Sequence, residues 1–217
     1  DHVRSLSGGI NQTGVRAYNE RLLLSVLQRN GGLPGIELAR RTGLSPQTAS
    51  VILRKLEQDG LLTKGAPVKG KVGKPSVPFA LNPNGVFSLG LKVGRRSADL
   101  VVLDLMGQVR HQLRLTYDYP LPDTVFGFLR SGYAELLDRM DDHMRARLCG
   151  VGVAAPFELW NWHEVLGAPA EEFAAWRAAD MVAEAGRITD LPVHMVNDAT
   201  AACRAEHVFG IGRELRD

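Results

Sequence analysis

Cysteine is almost missing from these 217 residues: only Cys149 and Cys203 occur. Both sit among apolar neighbours, which predicts two buried thiols rather than a disulfide or a metal site, and a fold held by its core in a reducing, cytoplasmic setting. Histidine is sparse too, with six residues scattered singly, so no bound metal is expected. No run of about 18 apolar residues is available to cross a bilayer, and the segment from Asp1 to Leu6 lacks the apolar heart of a secretory signal. These absences exclude a membrane-spanning helix and an exported disulfide scaffold, and no membrane partner is expected. What the chain does have is apolar mass: 45% of its residues are hydrophobic, ample for one or two globular domains.

The net charge of +2 conceals a division. Residues 1–84 hold twelve Lys and Arg against five Asp and Glu, a balance of +7, whereas the remaining 133 hold 14 against 19, a balance of −5. A basic module joined to an acidic one predicts that the first meets a polyanion and the second does something else.

In the basic module, Leu22, Leu23, Val26 and Leu27 make an apolar stripe that predicts a helix from Arg16 to Arg29, stopped by Asn30-Gly31-Gly32. A short helix follows from Ile36 to Arg41, closed by Gly43. Ser45-Pro46 then supplies an N-cap and a proline at the first helical position, opening a helix to about Gln58. Ala49, Ile52, Leu53 and Leu56 share one face of it, while Gln47, Thr48, Ser50, Arg54 and Lys55 point elsewhere. A short helix, a tight turn and a second helix with small polar residues at its start are what a helix-turn-helix requires. After Asp59-Gly60, the segments Leu61–Lys64 and Val77–Leu81 predict a hairpin whose tip carries Lys69, Lys71 and Lys74 among glycines. Such a wing can lay lysines along phosphates. Helix-turn-helix geometry also occurs in modules that bind only protein, but the helix pair, the capped second helix, the Asp-Gly turn and the local charge coincide and favour duplex DNA. The candidate contacts are Ser45, Gln47, Thr48, Ser50, Arg54, Lys55, Lys69, Lys71 and Lys74, each able to meet a base, a phosphate or solvent alone.

Asn82-Pro83-Asn84-Gly85 is a turn-rich joint that divides residues 1–84 from 85–217. Beyond it, Val86–Val93, Ala98–Leu105 and Gln108–Tyr117 predict a three-stranded meander. The rest alternates: a helix from Asp123 to Arg145, a strand from Leu148 to Ala154, a helix from Glu171 to Ala185, a strand from Pro192 to Val196 and a helix from Ala199 to Val208. The string βββαβαβα predicts a mixed sheet with helices on both faces, one lobe of the actin and ribonuclease H type. With the winged helix in front, the fold class is α+β and α/β.

Several blocks together resemble ROK family transcriptional regulators, in which a winged helix precedes a sugar-kinase-like domain. In the head they are Leu44-Ser45-Pro46-Gln47-Thr48, Leu56, Gly60-Leu61-Leu62, Gly73-Lys74-Pro75 and Leu81. In the second domain they are Leu89-Gly90-Leu91, Leu103 to Gly107, Gly150 to Pro156, Leu191-Pro192-Val193, Asn197 to Ala202 and Glu206. In sugar-phosphorylating members the Asp of the Asn-Asp block is the general base on a sugar hydroxyl and the Asn binds the sugar. The resemblance therefore implies that Asn197 and Asp198 bind sugar. Without it, an Asn-Asp pair before a helix reads as an N-cap. Trp160 and Trp162 could stack on a sugar ring, and Glu158, Asn161 or His163 could bond its hydroxyls, or the aromatic pair could simply pack. Kinases of the family resemble one another in a first-strand Asp followed by Gly-Gly-Thr, where this chain has Lys92-Val93-Gly94-Arg95-Arg96-Ser97. No catalytic residue, cofactor or ATP-dependent activity is expected. The family's second lobe, with its zinc motif, would begin where this chain stops at Asp217, so the expectation is a fragment or truncated product with a one-walled sugar pocket.

These readings lead to a cytoplasmic regulator, a repressor of carbohydrate metabolism, that binds operator DNA as a homodimer and responds to a sugar or sugar derivative in its complete form. The alternatives are a sugar kinase with an attached head, and a constitutive DNA-binding fragment without ligand response.

Overall fold

Apolar residues spaced three and four apart wind the start of the chain into α1 (Gln12–Asn30), which buries Leu23 and Leu27 and half-buries Leu22 and Val26. The computed structural model describes residues 12–67 and 76–213 and divides into two units, Asp1–Gly85 and Val86–Asp217. In the first unit, strand β1 (Leu33–Pro34) leads into α2 (Gly35–Thr42), which ends where Gly43 adopts φ 69°, a left-handed conformation that glycine enters without a Cβ clash. The turn delivers α3 (Pro46–Gln58), whose Ala49, Ile52, Leu53 and Leu56 are buried against Leu23, Leu27, Leu38 and Ala39 of the other two helices. Each fully buried leucine contributes about 1.5–3 kcal/mol, so this three-helix core holds the head together.

Strands β2 (Leu62–Lys64) and β3 (Pro78–Leu81) pair antiparallel, and β1 pairs with the other side of β3, giving the order β1-β3-β2. The two-residue β1 lies in the Gly-Pro stretch between helices and carries no strand pattern of its own. Lys69, Lys71 and Lys74 lie outside the described residues. The base of the hairpin is closed by Asn82, whose Nδ2 donates to Gly60 O at 2.7 Å and whose N–H donates to Leu61 O at 2.9 Å. Gly85 approaches so closely that a Cβ there would lie 2.8 Å from Gly60 O.

The second unit is built on β4 (Phe87–Val93), β5 (Ser97–Asp104) and β6 (Val109–Thr116), a meander joined through the Met106-Gly107 turn. Then come α4 (Pro122–Arg139), α5 (Asp142–Ala146), β7 (Leu148–Ala155), α6 (Trp162–Leu166), α7 (Ala170–Ala174), α8 (Met181–Thr189), β8 (Val193–Asn197) and α9 (Asp198–Phe209). The sheet order is β6-β5-β4-β7-β8, with β4, β7 and β8 mutually parallel and the meander antiparallel. Leu89, Leu91 and Val93 alternate with Ser88, Gly90 and Lys92, so one face of the sheet meets Val125, Leu129 and Leu136 of α4 and Ala185 of α8. On the other face, Ala201 and Arg204 of α9 border a groove of about 530 Å³ floored by Gly90, Val101, Gly152 and Val196. At its far end α9 lays the Phe209 ring where a Cβ on Gly107 would stand.

Two expected helices prove to be broken. Residues Asp123 to Arg145 do not form one helix: Met140 is buried with extended backbone, and Asp141 caps a new helix by accepting from Met144 N at 2.7 Å. Nor do Glu171 to Ala185. There α7 passes into a turn of 3₁₀ helix at Ala175–Arg177, held by Trp176 Nε1 donating to Pro120 O at 2.6 Å, and α8 begins afresh where Asp180 accepts from Ala183 N. In both places a buried side chain, Met140 or Trp176, stands at the break, and an aspartate restarts the helix. Cys149 and Cys203 are also corrected: both are exposed, Cys149 on β7 two residues before buried Val151 and Cys203 on α9, a helix that buries none of its residues.

Candidate nucleic-acid interface and strand-end site

The reader helix is fixed by its own first turn. Ser45 Oγ accepts from Thr48 N at 3.1 Å and pairs with Thr48 Oγ1 at 2.8 Å, and Pro46 occupies a position where a missing N–H costs nothing. These bonds give Ser45 and Thr48 a structural task. Gln47, Ser50, Arg54 and Lys55 are all exposed on the flank opposite the core. Lys55 Nζ pairs with Asp59 at 2.6 Å, and Arg54 Nε donates to Ser50 O at 3.3 Å. On α2, Glu37 takes both Arg40 and Arg41, at 2.6 and 2.7 Å. Their guanidiniums, Arg40 foremost, hold its carboxyl down at about 2. Near α1 the helix carries a residue that sequence reading passed over. Val51, 52% exposed, sits beside Gln47 on the outer face, and with Val15, 44% exposed, it lines a shallow groove of about 410 Å³. Its spacing of four from Gln47 was the available signal.

The second candidate region lies at the carboxyl edge of the three parallel strands. Lys92 is level with Ala154, and Ala155 is level with Asn197, so the ends of β4, β7 and β8 lie side by side. Asn197 is the N-cap of α9, accepting at Oδ1 from Ala199 N at 3.0 Å and Thr200 N at 3.4 Å, and Asp198 Oδ1 accepts from Ala199 N at 2.9 Å. Both residues are half-buried, and the capping engages one oxygen of each. In the loop after β7, Glu158 is held at φ 54°, rare for a residue other than glycine, and accepts from Asn161 Nδ2 at 3.0 Å. Glu158 and Asn161 are exposed, whereas Trp160 and Trp162 are half-buried and pack on the core. The indoles thus serve packing with one part and leave the other open.

The turn between β4 and β5 closes this edge. Arg95 lies over the Trp162 ring at 5.8 Å, and Arg96 lies over the Tyr119 ring at 5.9 Å while donating from Nη1 to Asp118 O at 2.6 Å. Tyr117 donates its hydroxyl to Gly94 O at 2.8 Å, and burial pushes that phenol up to about 12. A Cβ on Gly94 would stand 3.0 Å from Ser97 O. The turn is therefore tight, arginine-filled and pinned by aromatic rings. Among the described residues no three of His, Cys, Asp and Glu stand close enough to hold a metal, and no helix is long and apolar enough to cross a membrane.

Residues 16–63 match a family described as winged helix-turn-helix DNA-binding, and residues 88–217 match the ROK family. The chain belongs to the ROK family. Among ROK relatives it is similar to the xylose repressor of Bacillus spizizenii, with 23% identity across 94% of this chain and 52% of that protein. It is similar also to the DNA-binding transcriptional dual regulator NagC of Escherichia coli (strain K12), with 22% identity across 97% of this chain and 52% of that protein. The crystal structure of a ROK family transcriptional regulator homologous to the E. coli MLC protein superposes with a TM-score of 0.63, at 21% identity, over 90% of this chain and 49% of that one, and shows the shared fold. This ROK chain spans about half the length of the curated relatives it matches.

Proposed function

We propose that this ROK chain is a sequence-specific DNA-binding transcriptional regulator, a cytoplasmic repressor of carbohydrate metabolism that binds its operator as a homodimer and responds to a sugar or sugar derivative. The observation that carries the reading is α3, which is capped, buried on one side, and presents Gln47, Ser50 and Arg54 on the other. The relatives named as a xylose repressor and as NagC support the regulatory role. Two copies supply the specificity that one short helix lacks, because one reader helix spans too few base pairs. Lys69, Lys71 and Lys74 lie along phosphates in this reading, which steadies the duplex without reading sequence.

The sugar, in this reading, is held at the strand ends by Asn197 and Asp198, with Glu158 and Asn161 bonding hydroxyls and the open parts of Trp160 and Trp162 meeting the ring. It alters operator affinity by favouring one arrangement of the paired heads. Phosphoryl transfer is not part of the function. In this reading Lys92 takes the position of the family's metal-binding acid, and Arg95 and Arg96, lying over the Trp162 and Tyr119 rings, occupy the turn that phosphates would enter.

Selection of duplexes from a random pool by the full chain tests the reading. One enriched, two-fold-related sequence is expected, with retention altered by a sugar from a panel of pentoses, hexoses and N-acetylhexosamines. A pool that stays random overturns it, and consumption of ATP in the presence of any sugar of that panel overturns the non-enzymatic part.

A further inference from the structure

Helical geometry decides where Val51 can go. Ala49, Ile52, Leu53 and Leu56 claim the buried side of α3. At about 100° per residue, Val51 falls about 40° round the axis from Gln47 and close to Arg54 and Lys55, in the middle of the outward face. A valine there stays 52% exposed, between side chains suited to base edges and phosphates. Valine is a poorer helix former than alanine and gains little at an exposed position, so local stability does not account for it. Beside it, Val15 of α1 extends the same apolar patch, and Gln47 and Thr48 border the groove the two line.

A duplex presents one apolar group to a major-groove reader, the C5 methyl of thymine. We infer that Val51 is a specificity-determining residue that packs on a thymine methyl next to the base edge met by Gln47. The inference rests on the DNA-reading function proposed above and names one base that the operator must contain. A cytosine in its place offers no methyl to the valine, and a purine puts an amino or keto edge against it. Gln47 selects by hydrogen bonds while Val51 selects by an apolar contact, so the two residues discriminate by different chemistry on one helix face.

The test uses the duplex enriched from the random pool, with each thymine replaced in turn by deoxyuridine, which deletes the methyl and keeps the pairing. The wild-type chain is expected to lose about fourfold in affinity at one position per half-site, the worth of one buried methyl group. Val51→Ala should bind the parent duplex about that much more weakly and be indifferent to deoxyuridine at that position alone, while Val51→Thr, which keeps one methyl, should retain part of the sensitivity. Circular dichroism of both variants should match the wild type, since position 51 is outside the core. If Val51→Ala is as sensitive as the wild type at every thymine, the inference is overturned while the DNA-reading function stands. If no duplex is enriched at all, both fall together.

Discussion

Gln47 and Arg54 share the outward face of α3, yet their removal should read differently. Gln47→Ala is expected to change which base is preferred while leaving the affinity for random duplex within about twofold, because a neutral amide adds little to phosphate attraction. Arg54→Ala should weaken selected and random duplex alike and lower the slope of log affinity against log salt by about one per subunit, the signature of a lost phosphate contact. Titrations at several salt concentrations separate the two. A third residue reports on the strand-end site. Tyr117, held up at about 12 by burial, has its folded pKa above the ordinary tyrosine value of about 10. The stability it lends is fully present below pH 10 and is lost as pH rises through 12. Ultraviolet titration should show a late phenolate transition near pH 12 that Tyr117→Phe removes, and a transition near pH 10 for every tyrosine would contradict the tight turn at Gly94.

At the scale of elements, caps decide where helices start, and they can be weighed singly. Ser45→Ala should cost the head about 1 kcal/mol in denaturant unfolding, because the Thr48 N–H loses its partner. Gly85→Ala should cost about 1–3 kcal/mol, since Gly60 O stands 2.8 Å from the new methyl group. Unchanged midpoints for both variants would refute these local accounts. The same caps explain what was legible in advance. Ser45-Pro46 and the buried stripe from Ala49 to Leu56 are local signals, and α3 was read from them with the bounds it has. The breaks at Met140 and at Trp176 were not readable, because they go with the burial of a methionine and of an indole, the latter bonded to Pro120 O far away in the chain. Strand β1 escaped for a related reason, since two residues carry no period and exist as a strand only through Phe79 and Pro78. In the strand-end region both the motif Asn197-Asp198 and its N-cap reading were visible in the sequence, and Asn197 does cap α9, but the left-handed Glu158 is a fact of three-dimensional arrangement.

On the scale of the whole molecule, charge and topology divide the labour. The +7 balance falls on residues 1–84 with the reader helix, and the −5 balance falls on the remainder with the mixed sheet. That division accords with the proposed DNA-binding role of the first unit, and the sugar proposed for the second can be tested separately. Asp198→Asn should reduce the heat of sugar binding in calorimetry at least tenfold without altering operator affinity in the absence of sugar. A fall in both would assign Asp198 to holding α9 rather than the sugar. The central claim is that α3 reads sequence, and the most direct measurement is a competition at one fixed salt concentration between the duplex selected from a random pool and a scrambled duplex of equal length. A preference of about a thousandfold or more for the selected duplex is expected, reduced by Gln47→Ala. Equal affinity for both duplexes, with the same salt dependence, would contradict it.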